Sequence, residues 1–223
     1  MPKAFIDNDF FIDFDTPTDF NSEGMSLSDA QIRFFSQSKC RDENNSLYLV
    51  YRAGNKNYDA FDKSRIGSGA GTIYGKGFYF SCDRDSVKVY GSIIKEYYLN
   101  LKNPYIYEAI NEEKDALYNV YTFIEVLKQN NFQVSPELRQ KLEQDVLDND
   151  GGLDTLIEMT CGANKADYFF KNCGFDGIMN LDTLDFVAFE PNQIKLSSNK
   201  NPTDSELLAA SLDIKNIKQN IPK

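Results

Sequence analysis

The residues able to do chemistry in this chain are arginines, carboxylates, tyrosines and four cysteines, because none of its 223 residues is a histidine. That absence excludes Ser-His-Asp and Cys-His nucleophile systems, histidine general bases and imidazole metal sites. The cysteines, Cys40, Cys82, Cys161 and Cys173, form no CxxC pair. Reduced and mostly buried thiols are expected, and no metal. The run from Ile66 to Gly77 (IGSGAGTIYGKG) looks at first like a phosphate loop, but Ala70 stands at the first glycine of a Walker pattern and Gly77 at its hydroxyl position. It fails as GxGxxG too, since Tyr74 stands where the third glycine belongs. The run therefore reads as an exposed loop, or as one that closes over a ligand.

Three separated segments carry a stronger pattern. The first is Leu49-Val50-Tyr51-Arg52-Ala53-Gly54. The second is Gly75-Lys76-Gly77-Phe78-Tyr79-Phe80-Ser81, followed by a helix ending at Tyr90-Gly91. The third is Gly174-Phe175-Asp176-Gly177-Ile178 with Asp185-Phe186-Val187-Ala188-Phe189-Glu190-Pro191-Asn192-Gln193-Ile194-Lys195. In their order, and in the spacing of Tyr79 and Tyr90, they resemble the ADP-ribosyltransferase family. The similarity is to its diphtheria-toxin-like and poly(ADP-ribose)-polymerase-like branch and to the small domains of phage polyvalent proteins. It spans roughly Leu47 to Lys195. The lead-in Phe34-Phe35-Ser36-Gln37-Ser38-Lys39, then Asp42, is similar to the segment before the first strand in phage polyvalent members.

The resemblance implies NAD as substrate, no metal, and cleavage of the nicotinamide–ribose bond. That cleavage develops an oxocarbenium-like charge on the ribose, so it needs a carboxylate beside the sugar and a pocket for the leaving ring. By resemblance Tyr79 is the platform under nicotinamide and Tyr90 the opposite wall, flat rings that can stack on it. Arg52 replaces the histidine of this branch, as an arginine does in the cholera-toxin-like branch, and its planar five-donor guanidinium suits a pyrophosphate. Ala53 replaces a glycine whose backbone groups hold the carboxamide, and Gly54 follows it. The family register puts Asp185 where the catalytic glutamate belongs. Period-two alternation sets Asp185, Val187 and Phe189 on one strand face and Glu190 on the other, so Glu190 does not substitute for it. Val87 occupies the place of a carboxamide-contacting serine, leaving Ser86 or Ser81 to take that part. The expected catalytic set is thus Arg52, Tyr79 and Asp185. The NAD-binding set is Arg52, Ala53, Gly54, Tyr79, Ser81, Ser86 and Tyr90. The plainer alternatives are half-buried strand tyrosines, a solvated strand-end arginine and a structural carboxylate.

The elements that must position these residues follow from hydrophobic pattern. Ser26 or Ser28 caps a helix with Ile32, Phe34 and Phe35 as its apolar stripe, up to Ser38. Strands are expected over Leu47 to Arg52, Gly77 to Ser81 and Ile93 to Leu101, with a short helix from Asp83 to Gly91 before the last. Leu117, Val120, Tyr121, Ile124 and Leu127 share one helix face. Ser135-Pro136-Glu137 opens a second helix through Leu138, Leu142 and Val146. Further helices are expected over Leu153 to Thr160 and Asn164 to Asn172, then strands over Gly177 to Met179 and Asp185 to Glu190. A weak helical signal lies near Leu207. Strands, then helices, then strands predict an α+β domain. The resemblance sharpens this to a split pair of mostly antiparallel sheets around an NAD cleft, with a helical block inserted between the strand groups.

Residues 1–46 read as an acidic arm with an accessory helix, 47–200 as the catalytic domain, and 201–223 as a polar tail. The net charge of −10 disfavours a broad phosphate-binding surface and favours a basic protein acceptor over nucleic acid. No run approaches the length of a membrane span, which places the chain in a cytosol, the host's if a phage or pathogen encodes it. The expected function is mono-ADP-ribosyl transfer from NAD to a macromolecular acceptor, expected to be a host protein. The rivals are NAD hydrolysis and a catalytically silent interaction module of phage origin.

Overall fold

The computed structural model describes residues 17–66, 76–107, 113–129, 133–149, 171 and 173–208. Seven strands lie among them: β1 (Val50–Gly54), β2 (Phe78–Ser81), β3 (Ile93–Leu99), β4 (Pro104–Tyr107), β5 (Gly177–Asn180), β6 (Asp185–Ala188) and β7 (Ile194–Leu196). The α-helices are α1 (Asp29–Phe34), α2 (Glu113–Gln129) and α3 (Pro136–Asn149). The chain divides into two units interleaved along the sequence. One takes the described residues of 17–65, 79–102 and 190–208, the other those of 66–78 and 103–189.

In the first unit β1 runs antiparallel to β2 and β3, and β3 antiparallel to β7. Arg52 stands opposite Lys95, Tyr51 opposite both Glu96 and Ser81. One sheet face buries Tyr51, Ala53 and Tyr98 with Leu27, Phe35, Leu47, Leu49 and Val87. α1 is started by Ser28, whose hydroxyl accepts from the Gln31 N–H while the Gln31 side chain accepts from the Ser28 N–H. Of the two serines expected as caps, Ser28 is used. Gln31 is fully buried, and its amide nitrogen donates to the carbonyls of Ser197 and Asn199, 2.9 Å each. One residue thus caps α1 and ties it to the segment after β7.

The described residues around Leu207, 201–208, do not form the helix expected there. Leu207 makes a bridge to Ala60, Leu208 N–H donates to the Asp59 carbonyl, and the buried Lys195 ammonium donates to the carbonyls of Ser205 and Leu207. Long-range pairing has overridden a weak local preference. β7, only three residues long, was not among the expected strands, and its middle residue is that lysine. Lys195 is 0% exposed, and burial lowers its pKa to about 8 against the opposing charges of Asp204 and Glu206.

In the second unit β4 and β5 are parallel and β5 and β6 antiparallel. A parallel pair cannot be closed by a tight turn and needs a long crossover. α2 and α3 lie in that connection. α2 buries Val120, Phe123, Ile124 and Leu127. Phe123 takes the place on the buried face expected for Tyr121, which is 41% exposed and has the Arg139 guanidinium 5.2 Å over its ring. Ser135 caps α3 by accepting from the Leu138 N–H at 3.1 Å. The helices expected over Leu153–Thr160 and Asn164–Asn172 fall almost wholly outside the described residues, as do positions 67–75 of the glycine-rich run and Cys161. Of the other thiols Cys40 is buried and Cys82 and Cys173 are half-buried, all unbridged. No helix among the described residues is long and apolar enough to cross a membrane.

Candidate active site

Strand pleating sorts the expected site residues of the first unit into two sets. Side chains alternate faces along a strand, and directly opposed residues of an antiparallel pair share a face. With Tyr51 opposite Ser81, the side chains of Ala53, Tyr79 and Ser81 share the face that carries the buried cluster. Arg52 and Phe80 take the other face.

On its face Arg52 enters an aromatic surround. Its guanidinium carbon lies 5.6 Å from the Phe61 ring centre and 5.8 Å from that of Phe80. Phe61, Phe80 and Tyr97 pack on one another at 5.3 to 5.7 Å between centroids. Nη1 donates to the Tyr79 carbonyl at 2.8 Å. Arg52 and Tyr79 therefore meet through the main chain of Tyr79, not through its ring. Burial lowers the Arg52 pKa from its ordinary value, with the Tyr97 and Tyr58 phenols acting the other way. Among the described residues no carboxylate lies within ion-pair distance of it. A half-buried guanidinium with unused donors and no counter-ion is chemically suited to an anionic ligand, a pyrophosphate included. Phe61 and Tyr97 escaped the sequence reading. Phe80 escaped it too, because a cross-strand neighbour of Arg52 follows only from the register that pairs Tyr51 with Ser81.

On the other face Ala53 has ordinary extended angles, as it lies within β1 and outside the positive-φ residues. Its main-chain groups are thus not displaced by the methyl that replaces the family glycine. Ser81 is buried and its hydroxyl accepts from the Asp83 N–H at 3.2 Å. Ser86 is exposed and donates its own proton to the Asp83 carbonyl at 2.9 Å. Of the two, Ser81 keeps its proton for another acceptor. The short 3-10 helix Ser86–Tyr90 buries Val87 and leaves Tyr90 58% exposed. Gly91 ends that helix against the end of β1. A Cβ on Gly91 would come 2.6 Å from the Gly54 Cα, closer than real contacts allow, whereas one on Gly54 would meet only Tyr58 Cε2 at 3.9 Å. The Gly54–Gly91 contact therefore fixes where Tyr90 stands relative to the end of β1.

Asp185 belongs to the second unit and opens β6, opposite Asn180 of β5. Asn180 Oδ1 accepts from the N–H groups of Asp182 and Thr183, at 2.9 and 3.1 Å, which shapes the turn. Leu184 closes it at φ 52°, a left-handed conformation unusual for leucine. Asp185 is half-buried, with Oδ2 accepting from the Thr183 hydroxyl at 2.9 Å. It too lacks a cation within ion-pair distance among the described residues. Glu190 is engaged otherwise: it caps the short 3-10 helix Pro191–Gln193 and pairs with Lys63.

Comparison with known families decides what this arrangement belongs to. Residues 42–204, more than half the chain, match the family described as ADP-ribosyltransferase in polyvalent proteins. The chain belongs to that family. As an ADP-ribosyltransferase domain it is of a transferase kind, in a family whose substrate is NAD and which needs an acceptor. A solved structure described as that of an anti-CRISPR protein is similar at 7% identity, over 63% of this chain and 88% of that one, with a TM-score of 0.27. No curated protein matches the sequence.

Proposed function

We propose that the chain is a mono-ADP-ribosyltransferase that moves ADP-ribose from NAD to a macromolecular acceptor, a protein in the first instance, with release of nicotinamide. The observation that carries this reading is Arg52, an aromatic-lined guanidinium with no counter-ion among the described residues, in the strand to which the resemblance assigns dinucleotide binding. In the proposed complex Arg52 holds the pyrophosphate. Nicotinamide is assigned to the main-chain groups of Ala53. Tyr79 and Tyr90 bracket the ring, Ser81 donates to its carboxamide oxygen, and Ser86 stays with the turn. The C1′–N bond breaks with its electron pair leaving on nicotinamide, and the acceptor heteroatom bonds to C1′ and loses a proton. Asp185 is the carboxylate assigned to the transient positive charge on the ribose. Residues 47–200 are proposed as the catalytic domain, 1–46 as an arm with an accessory helix and 201–223 as a tail. A cytosolic effector of a phage or pathogen is the setting that membership of a polyvalent-protein family suggests.

One observation favours a second reading, a silent binding module or a glycohydrolase. Aspartate is one methylene shorter than the family glutamate, and Thr183 holds one of its oxygens. Incubation with adenylate-labelled NAD, with and without host lysate, separates the three. Label on a lysate protein supports transfer, nicotinamide release without label supports hydrolysis, and neither, despite NAD binding, overturns both enzymatic readings.

A further inference from the structure

A pocket in the first unit, outside the residues assigned to NAD, is lined by Pro17, Ser36, Gln37, Ser38, Lys39, Arg41 and Asn45. Its described lining residues include two cations, Lys39 and Arg41, and no acidic residue. Arg41 is only 3% exposed, and its guanidinium is fixed by three main-chain carbonyls: Phe35 at 2.8 Å, Asn45 at 2.9 Å and Ser38 at 3.2 Å. Those bonds use three of its five N–H donors. Among the described residues no carboxylate lies within ion-pair distance of it, although a buried charge ordinarily has one. The second observation is Asn45. It is 7% exposed, its side-chain nitrogen and oxygen both lack a hydrogen-bond partner among the described residues, and it lines the pocket. Asn45 adopts φ 62°, held by its N–H donating to the Asp42 carbonyl and by Arg41 Nη1 on its own carbonyl. Its amide is therefore fixed in place by the main chain with nothing of its own to bind.

A buried cation with no ion-pair partner, beside a buried amide with no hydrogen-bond partner among the described residues, is costly unless something occupies the site, since an unsatisfied buried polar group forfeits its hydration. We propose that this pocket is a second ligand site, for a small oxyanion (a phosphoryl or carboxyl group) whose negative oxygens meet Arg41 and Lys39 while Asn45 donates to it. The site is independent of the NAD reading. Its residues lie almost wholly before residue 42, where the family match begins.

The test is a saturation series on the full chain followed by thermal unfolding, with inorganic phosphate in one arm, acetate in another, and sodium chloride at matched ionic strength as reference. Saturable stabilisation beyond the chloride reference is expected; stronger phosphate than acetate response assigns the phosphoryl group, and the reverse the carboxyl group. Asn45→Gly tolerates the left-handed backbone and removes only the amide, and Lys39→Gln removes the second cation without touching the core. Each is expected to weaken the anion by about tenfold, the scale of one charge-assisted hydrogen bond. The series is run in parallel on Arg52→Gln, which removes any anion held at the NAD site; the response assigned to this pocket is the part that persists in Arg52→Gln and is lost in Asn45→Gly. No saturable response to either anion, or one lost in Arg52→Gln and retained in Asn45→Gly, would overturn the proposal.

Discussion

Arg52 shows how one residue type changes what a strand position can do. Histidine offers one or two donors in a small ring, whereas the guanidinium offers five, of which the Tyr79 carbonyl takes one. Phe61 and Phe80 hold it in place by contacts that contribute about 0.5–2 kcal/mol each in cation–π pairs of this kind. Arg52→Lys keeps the charge and removes the planar fork. It is expected to weaken NAD binding about tenfold or more, read by calorimetric titration, with the fold unchanged. An unchanged affinity would remove Arg52 from the phosphate role. Asp185→Glu restores the missing methylene, and the reach argument predicts faster nicotinamide release, measured in single-turnover assays.

Among the elements, the 3-10 helix Ser86–Tyr90 is placed by two glycine backbones in contact, and this contact separates two superficially similar substitutions. Gly91→Ala drives a methyl into the Gly54 main chain and is expected to lower stability by about 1–3 kcal/mol, together with NAD affinity. Gly54→Ala meets only the edge of the Tyr58 ring and is expected to leave urea unfolding nearly unchanged. Equal losses from both would contradict the geometry. The elements were partly legible in sequence. Apolar spacing located α2, a proline after serine located α3, and motif order located β1, β2, β5 and β6. β4 is only four residues opening on a proline, and β7 only three, too short for a period-two pattern to stand out. The strand expected to run to Glu190 ends at Ala188, and Glu190 caps a 3-10 helix, so the period-two argument reaches Val187 but not Glu190. The pairing of Tyr51 with Ser81 could not be read from sequence, and it alone puts Arg52 and Tyr79 on opposite faces. Register is decided by contacts far apart in sequence, which no local pattern encodes.

Over the whole molecule, two properties bear on function and stability. The net charge of −10 predicts that transfer to a basic protein slows as salt is raised, which rate measurements across ionic strength would check. The buried phenols set an alkaline limit. Burial raises Tyr97 and Tyr48 from the ordinary value of 10 to about 12, and for Tyr48 the neighbouring Cys82 and Asp42 add to it. Their neutral form is favoured by folding, so their contribution is complete below pH 10 and lost as pH rises toward 12. Unfolding midpoints are expected to fall steeply in that interval, less so in Tyr97→Phe. The central claim is that this chain cleaves the nicotinamide–ribose bond with Asp185 facing the charge that develops. Its most direct test is nicotinamide release from NAD in a single turnover, comparing the unaltered chain with Asp185→Asn, which keeps size and hydrogen bonding and removes the charge. The account predicts release by the unaltered chain and a loss of about a hundredfold or more in the variant, the scale of one electrostatic contact to a transition state. Release at equal rates by both, or by neither while NAD binds both, would contradict it.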